Sequence, residues 1–293
     1  AGLINQLQMN CDVRIQGDGL STSITEALSP TLDTVERFYS DNGVPIDEDK
    51  TWQELYKKRY ETQAIPEDYK YYMWYSSTNP QVTANLHFRR ETRFYASLNF
   101  DRGTVYGKDK TSYDTYPVNG TPGGETSMEV AQMRGGETAG HTADEKFSIT
   151  GYTPKKMVAL TSYVKDNSYV GYAYPFPIIR LADLYLLYAE ALNEVKSSPD
   201  DEVYEYIDLV RKRASLKGVV ESWKEYSLNP NKPLSKEGMR EIIQRERANE
   251  LAFEGQYYWD IRRWKTIEQE FAKPIRGWSV LEGNPNDYYK VKV

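Results

Sequence analysis

Two carboxylates one helical turn apart, Glu246 and Glu250, share a face with apolar side chains. At about 100° per residue, Met239, Ile242 and Phe253 point in the same direction as both glutamates. Carboxylates at this spacing lie roughly 6 Å apart, near the separation that retaining glycosidases use. Such a pair normally lines an open cleft, whereas an apolar face rich in nearby arginines favours a structural ion network. The candidate cations are Arg180, Arg211, Arg213, Arg262 and Arg263.

Motifs for nucleophilic, phosphate or cofactor chemistry are missing from the sequence. It has no Gly-x-Ser-x-Gly elbow and no Gly-Lys-Ser/Thr loop, and residues 17–19 (Gly-Asp-Gly) lack the third glycine of a dinucleotide fingerprint. Cys11 is the single cysteine, which excludes an internal disulfide and a multi-cysteine metal site. His87 and His141 have no partner at metal-ligand spacing. We therefore expect no catalytic residue, no metal and no cofactor.

The composition narrows the class of protein. With 37 basic and 43 acidic residues the net charge is -6, so the chain has no basic excess for nucleic-acid binding. Its 293 residues are enough for one large domain or two ordinary ones, and no apolar run reaches the roughly 18 residues that span a bilayer. Tyrosine is the outlier, at 25 residues, with six tryptophans besides. Such rings offer surfaces for stacking and hydrogen bonding, and packing is their alternative use.

The last third of the chain has helical periodicity. A first apolar stripe consists of Leu181, Leu184, Tyr185, Tyr188 and Leu192, and apolar residues on the opposite side predict a helix buried between neighbours. After a break at residues 197–200, a second stripe predicts the antiparallel partner in a helical hairpin of tetratricopeptide size. That stripe is Val203, Ile207, Val210 and Ala214. A third helix is predicted from Ser235 to Gly255 and a fourth from Tyr257 towards Glu270.

The first two thirds are harder to interpret. Helical patches at Thr31–Tyr39 and Trp52–Tyr60 lie in a mixed segment. Alternation of polar and apolar residues predicts a half-buried strand over Arg93–Phe100, and Lys146–Tyr152 is a second candidate strand. Residues 107–146 hold seven glycines and few aliphatics, which indicates a long surface excursion, either functional or disordered.

Three segments carry a more specific signature. They are residues 176–194 (FPIIRLADLYLLYAEALNE), 210–214 (VRKRA), and 246–255 (ERANELAFEG) followed by DIRRW at 260–264. In order and spacing they resemble the SusD/RagB family, nutrient-capture lipoproteins of the outer membrane in Bacteroidetes. A weaker piece at 90–97 resembles the strand signature in the middle of that family, with Thr92 where proline is usual.

The resemblance implies a mainly α fold of tetratricopeptide-like helix pairs carrying a loop-rich, irregular region with a few short strands. We predict one continuous domain with a mixed segment at 1–70, a loop-rich binding region at 71–176 and a helical scaffold at 177–293. Family members are typically much longer, so the chain is predicted to be the C-terminal part of such a protein, or a truncated member. Its signature residues resemble scaffold: Glu246, Glu250, Arg211, Arg213 and Asp260.

One position departs from the family pattern. Gln256 follows the glycine where arginine is common. The corresponding link of the ion network is therefore expected to be absent or supplied by Arg262.

Ligand binding is expected away from these residues. By the resemblance, glycan-binding members use aromatic platforms in irregular loops. Such platforms fit the chemistry of sugars, because aromatic rings stack on pyranose faces and polar groups beside them bond the hydroxyls at the rim. The densest candidate is the stretch at 69–79, in which four tyrosines and a tryptophan fall within seven residues. If part of it is a strand, about half of these rings belong to the core. The predicted ligand-binding residues are Tyr71, Tyr72, Trp74, Tyr75, Asn79 and Tyr106, with Tyr113 and Tyr116 as weaker candidates. Asn99, Asp101 and Arg102 are their polar neighbours in sequence.

The function implied by the resemblance is non-enzymatic. The protein would capture oligosaccharide at the outward face of the outer membrane and pass it to a SusC-like TonB-dependent transporter. RagB-like peptide capture and a transporter-bound scaffold without its own ligand site are the alternatives. Membrane attachment would need a lipid anchor that is not present in this chain, because Asn10 is not the small residue that precedes a lipoprotein cysteine.

Overall fold

The computed structural model describes residues 2–14, 24–106, 128–142, 146–160, 162–165 and 168–293. Within these ranges the fold is mainly α, as predicted, and the strands form two-stranded antiparallel pairs. The helices are α1 (Gly2–Cys11), α2 (Leu32–Arg37), α3 (Gln53–Lys57), α4 (Thr92–Ser97), α5 (Leu181–Val195), α6 (Asp201–Arg213), α7 (Val219–Tyr226), α8 (Lys236–Glu250), α9 (Gln256–Arg263), α10 (Ile267–Phe271) and α11 (Pro285–Tyr288).

The strands are short, two or three residues each. They are β1 (Thr62–Ala64), β2 (Val82–Ala84), β3 (Asn99–Phe100), β4 (Thr104–Tyr106), β5 (Met128–Val130), β6 (Tyr152–Thr153), β7 (Tyr163–Lys165), β8 (Ser168–Val170), β9 (Gly277–Trp278) and β10 (Val291–Lys292). They pair as β1–β2, β3–β6, β4–β5, β7–β8 and β9–β10. Among the described residues, no helix is long and apolar enough to cross a membrane.

Helices α5, α6 and α8 form the helical scaffold that the periodicity predicts. Local caps set where two of them begin: Asp200 accepts the Val203 N–H at the start of α6, and Ser235 accepts the Gly238 N–H at the start of α8. Helix α5 packs against both α6 and α8. The core between them includes Leu186, Val203, Ile207, Val210, Trp223, Met239, Ile242 and Ile243.

The predicted burial of α5 between neighbours is wrong in the described structure. Its packed face carries Leu186 and Ala189, whereas Leu184 remains 51% exposed and Leu181 and Tyr188 are exposed as well. The apolar stripe predicted from the sequence is therefore divided: Leu181, Leu184 and Tyr188 lie on the free face of the helix, whereas Tyr185 and Leu192 are partly buried and pack at the edge of the core. The side that carries Leu186 and Ala189 is the one buried in that core.

The strand predicted over Arg93–Phe100 is also wrong for most of its length. Residues Thr92–Ser97 form α4, and only Asn99–Phe100 is a strand, paired with Tyr152–Thr153. Alternation fails as a signal here because polar Arg93 is buried beside Phe94. The candidate strand at Lys146–Tyr152 likewise reduces to its last residue, which opens β6.

The helices from α8 onward are shorter than predicted. Helix α8 ends at Glu250, and the turn that follows contains Phe253 and Gly255 with φ of 68° and 83°. The fourth predicted helix is divided into α9 and α10. Helix α7 had no counterpart among the predicted elements.

A second, largely aromatic core joins the middle of the chain to its C-terminal residues. Phe94, Phe100, Tyr152, Trp278 and Tyr289 all have ring centroids within 6.4 Å of the His87 ring. His87 is fully buried, and its nitrogens bond the Thr83 and Tyr152 hydroxyls at 2.7 and 2.8 Å. Burial, with Arg90 nearby, holds the pKa of His87 well below its ordinary value. The C-terminal strands and Trp278 therefore pack with the middle region of the chain.

Candidate functional site

The aromatic segment (residues 69–79) runs beside the chain that enters β4. The Trp74 N–H donates to the Arg102 carbonyl at 2.8 Å, and the Thr104 N–H donates to the Tyr72 carbonyl at 3.0 Å. The Thr104 hydroxyl adds a bond to the Tyr71 carbonyl, and Met73 forms an isolated antiparallel bridge with Gly103. Backbone bonds from a second segment therefore fix the direction of the aromatic side chains.

The rings of the aromatic segment divide between core and surface, although residues 67–72 form a 3-10 helix and turn and not a strand. Met73 is fully buried, whereas Tyr71 and Tyr72 are 39% and 38% exposed. Tyr72 stacks on Tyr95 with centroids 4.2 Å apart, and Tyr75 packs against the aromatic core. Trp74 is half-buried. Exposed and partly exposed rings thus lie side by side on one short segment.

The remaining predicted ligand-binding residues have different settings. Asn79 is exposed, and its backbone N–H donates to the Ser76 hydroxyl at 3.0 Å. The backbone of Tyr106 ends β4, and its side chain lies outside the described part of the chain. Tyr113 and Tyr116 fall in residues 107–127, which also lie outside the described residues.

A group of polar side chains with three buried charged members (Asp101, Arg102 and Arg134), the Arg102 cluster, lies behind Trp74. Its members are Arg102, Asp101, Arg134, Glu137 and Gln81. The Arg102 guanidinium lies 5.6 Å from the centroid of the Trp74 ring, within range of a cation–π contact. Burial opposes its charge, but Asp101 and Glu137 raise the pKa of Arg102 above its ordinary value. From the sequence, Asp101 and Arg102 are expected near Tyr106, but the other members come from distant positions and could not be found in that way.

The two carboxylates at the end of α8 are bound by four arginines from three parts of the chain. Glu246 accepts bonds from Arg93 at 2.7 Å and from Arg211 at 3.1 Å. Glu250 contacts Arg93 at 3.2 Å and Arg180 at 2.7 Å, and it also accepts a bond from Arg213. We call these six residues the ion network.

The electrostatics of the ion network follow from burial and pairing. Glu246 and Glu250 are 0% and 1% exposed, so neither carboxylate is presented to a cleft. Burial alone would raise the pKa of Glu250, but Arg93, Arg180 and Arg213 together lower it below its ordinary value. Arg93 is the member that sequence analysis did not find.

A second set of ion pairs joins α8 to α9. Asp260 accepts bonds from Arg247 at 3.1 Å and from Arg263 at 2.8 Å. Arg262 belongs neither to the ion network nor to the pairs around Asp260. Its guanidinium donates to the Tyr258 hydroxyl instead. Gln256 bonds the Ile178 carbonyl at 3.2 Å. Arg262 therefore does not supply the link that the sequence left open.

Comparison with known proteins decides the family. A model of the SusD family matches residues 8–293. The chain belongs to the SusD family. Its curated relative "SusD-like protein P2" of Formosa agariphila is 37% identical over 108 residues, which is 37% of this chain and 19% of that protein.

Solved structures agree with the SusD fold. The structure named BT4246 superposes with a TM-score of 0.71 at 22% identity over 97% of this chain and 43% of its own. A SusD-like protein, BF3747 of Bacteroides fragilis, gives a TM-score of 0.57 at 23% identity, over 92% of this chain and 42% of its own. The chain thus spans less than half the length of these structures. The resemblance and the mainly α fold predicted from sequence are confirmed.

Proposed function

We propose that this SusD-family chain captures oligosaccharide through the aromatic segment. The observation that carries the proposal is the position of Trp74 and its neighbouring tyrosines, which are fixed by backbone bonds to Arg102 and Thr104 and remain partly exposed. A pyranose ring presents C–H groups to such a surface, and several modest contacts of this kind add up to useful affinity.

Polar groups for the hydroxyl rim lie on the same stretch of chain. Asn79 and Gln81 follow the rings in sequence, and the Gln81 side-chain oxygen accepts a bond from Arg102 at 3.1 Å. Amide side chains both donate and accept, which matches sugar hydroxyls. Both ends of the Gln81 amide are already bonded, to Arg102 and to the Asn79 carbonyl, so the exposed Asn79 side chain is the partner that this stretch would offer to a sugar stacked on Trp74.

The ion network has a structural role in this proposal. Glu246 and Glu250 hold α4, α5, α6 and α8 together instead of acting on a glycosidic bond. The protein is then a binding protein that delivers its ligand to a SusC-like TonB-dependent transporter at the outward face of the outer membrane. Family membership supports this assignment of partner and location.

Isothermal titration of the 293-residue chain against a panel of oligosaccharides and short peptides tests the proposal. We expect at least one oligosaccharide to bind, and Trp74→Ala to weaken that binding by 10-fold or more, because stacking on the indole is lost. Trp259→Ala is the matched control, since Trp259 is a 63% exposed tryptophan on α9. Equal weakening by both variants, undiminished binding by Trp74→Ala, or binding of peptides alone would overturn the proposal.

A further inference from the structure

Arg102 contacts Trp74 in two independent ways. Its carbonyl accepts the Trp74 N–H at 2.8 Å, and its guanidinium lies 5.6 Å from the centroid of the indole. The same residue therefore fixes the backbone at Trp74 and lies against the ring. A ring held in this way has fewer orientations to lose when a ligand stacks on it.

Arg102 is itself locked in place. Its side chain is 5% exposed and pairs with Asp101 at 2.9 Å and with Glu137 at 2.5 Å, while Gln81 accepts a third bond. Asp101 is held in turn by three further donors, which are the Met133 N–H, the Arg134 guanidinium and the Tyr289 hydroxyl. The Arg102 guanidinium is thus fixed in position by its polar partners.

The backbone at Arg102 is strained. Its φ is 69°, a left-handed conformation that favours glycine over any residue with a side chain. Strain of this kind persists only where surrounding contacts over-determine it, and it concentrates at ligand clamps and active sites. Glycine would relieve the strain but would supply no guanidinium to Trp74, Asp101 or Glu137.

We propose that Arg102 is a positioning residue for Trp74, which sets the indole in the orientation that a sugar ring stacks against, and that Glu137 keeps Arg102 in place. This inference rests on the proposed function, namely that oligosaccharide binds at Trp74. If the indole is mobile without ligand, binding must order it, and this entropy loss reduces the affinity. We therefore expect affinity to fall roughly 2- to 10-fold without loss of the fold.

Two conservative variants test this role. Arg102→Lys keeps the charge but not the planar contact with the ring, and Glu137→Gln keeps the size of the side chain but weakens its hold on Arg102. Arg276→Lys is the matched control, because Arg276 pairs with Asp33 and Glu36 at 2.7 and 2.9 Å and does not contact the aromatic segment.

Two readouts separate positioning from stability. The oligosaccharide that binds the wild type is titrated into each variant, and the indole N–H resonance of Trp74, assigned by its absence in Trp74→Phe, is recorded without ligand. Both test variants should weaken binding and shift or broaden that resonance, whereas Arg276→Lys should change neither. Thermal unfolding of the same samples reports any loss of fold, and Glu137→Gln decides the question if Arg102→Lys does not fold.

The possible outcomes distinguish this inference from the proposed function. A lower melting temperature with unchanged affinity and an unchanged Trp74 resonance would show that Arg102 is only structural. If Trp74→Ala removes binding but both test variants bind as the wild type does, the positioning role fails and the proposed function stands. If no oligosaccharide binds the wild type, or if Trp74→Ala binds normally, the proposed function fails and the positioning role falls with it.

Discussion

Arg211 of α6 and Glu246 of α8 form an ion pair 3.1 Å apart in which both side chains are fully buried. Arg211 also donates to the Gly43 carbonyl and the Ser222 hydroxyl, at 2.9 and 3.0 Å. One guanidinium therefore joins α6, α7, α8 and the turn after α2. Without it, Glu246 would keep Arg93 as its remaining cation in the ion network.

Arg211→Met should destabilise the fold by about 3–5 kcal/mol, because it leaves buried acceptors and part of a buried charge without a partner. The free energy of unfolding in urea measures this change. Arg213→Met is the control on the same helix: its side chain is 60% exposed, and Glu250 would keep Arg93 and Arg180, so we expect a loss below about 1 kcal/mol. Equal losses in the two variants would contradict this account of Arg211.

The ion network also predicts a dependence of stability on pH. Glu250 has an ordinary pKa of 4.5, and its arginine partners lower it in the folded chain. A lowered pKa means that the carboxylate contributes stability that is fully present above pH 4.5 and is lost as the pH falls below it. Glu250→Gln should therefore be less stable than the wild type at pH 7, and the difference should shrink towards pH 3.

Unfolding in urea at pH 7, 5, 4 and 3 measures that difference. Glu241→Gln is the control, because Glu241 lies on the same helix with its side chain 66% exposed and pairs with Lys232 at 3.1 Å. It removes the same charge and should leave the stability almost unchanged at every pH. A gap between Glu250→Gln and the wild type that stays constant from pH 7 to pH 3 would exclude the ion network as its source.

The helices that could be predicted from sequence are those whose signals are local. Apolar residues at a period of 3.6 identified α5, α6 and α8, the break at residues 197–200 separated the first two, and Ser235 marked the start of the third. The side of α5 that faces the core could not be predicted in this way, because both of its faces carry apolar residues. Contacts with α6 and α8 decide which face is buried.

The parts that failed depend on distant partners. Arg93 is drawn into the interior by Glu246, which lies 153 positions further along the chain. Within residues 93–100 its polar character contributed only to a strand-like alternation. The Arg102 cluster could not be predicted either, because no sequence signal marks a non-glycine residue with a φ of 69°. The aromatic segment was found because its rings are adjacent in sequence, but the contact of Arg102 with Trp74 was not, because the two residues are distant in sequence.

The free face of α5 leads to a prediction about association. Exposed apolar residues on it, Leu181, Leu184, Tyr188, Ala191 and Val195, recur at alternating spacings of three and four. This spacing is that of the seam along which two helices pack side by side, and a contiguous apolar stripe in water favours association. We therefore expect the 293-residue chain to self-associate through α5, to a degree that rises with protein concentration.

Sedimentation velocity over a range of protein concentrations tests this expectation. Leu184→Lys and Tyr188→Lys each place a charge in the stripe, so both should shift the chain towards the monomer, since a charge in an apolar contact is costly to bury. Leu209→Lys is the matched control, because Leu209 is an exposed leucine of α6 outside the stripe. A wild type that stays monomeric throughout, or an equal shift by the control, would show that this face does not drive association.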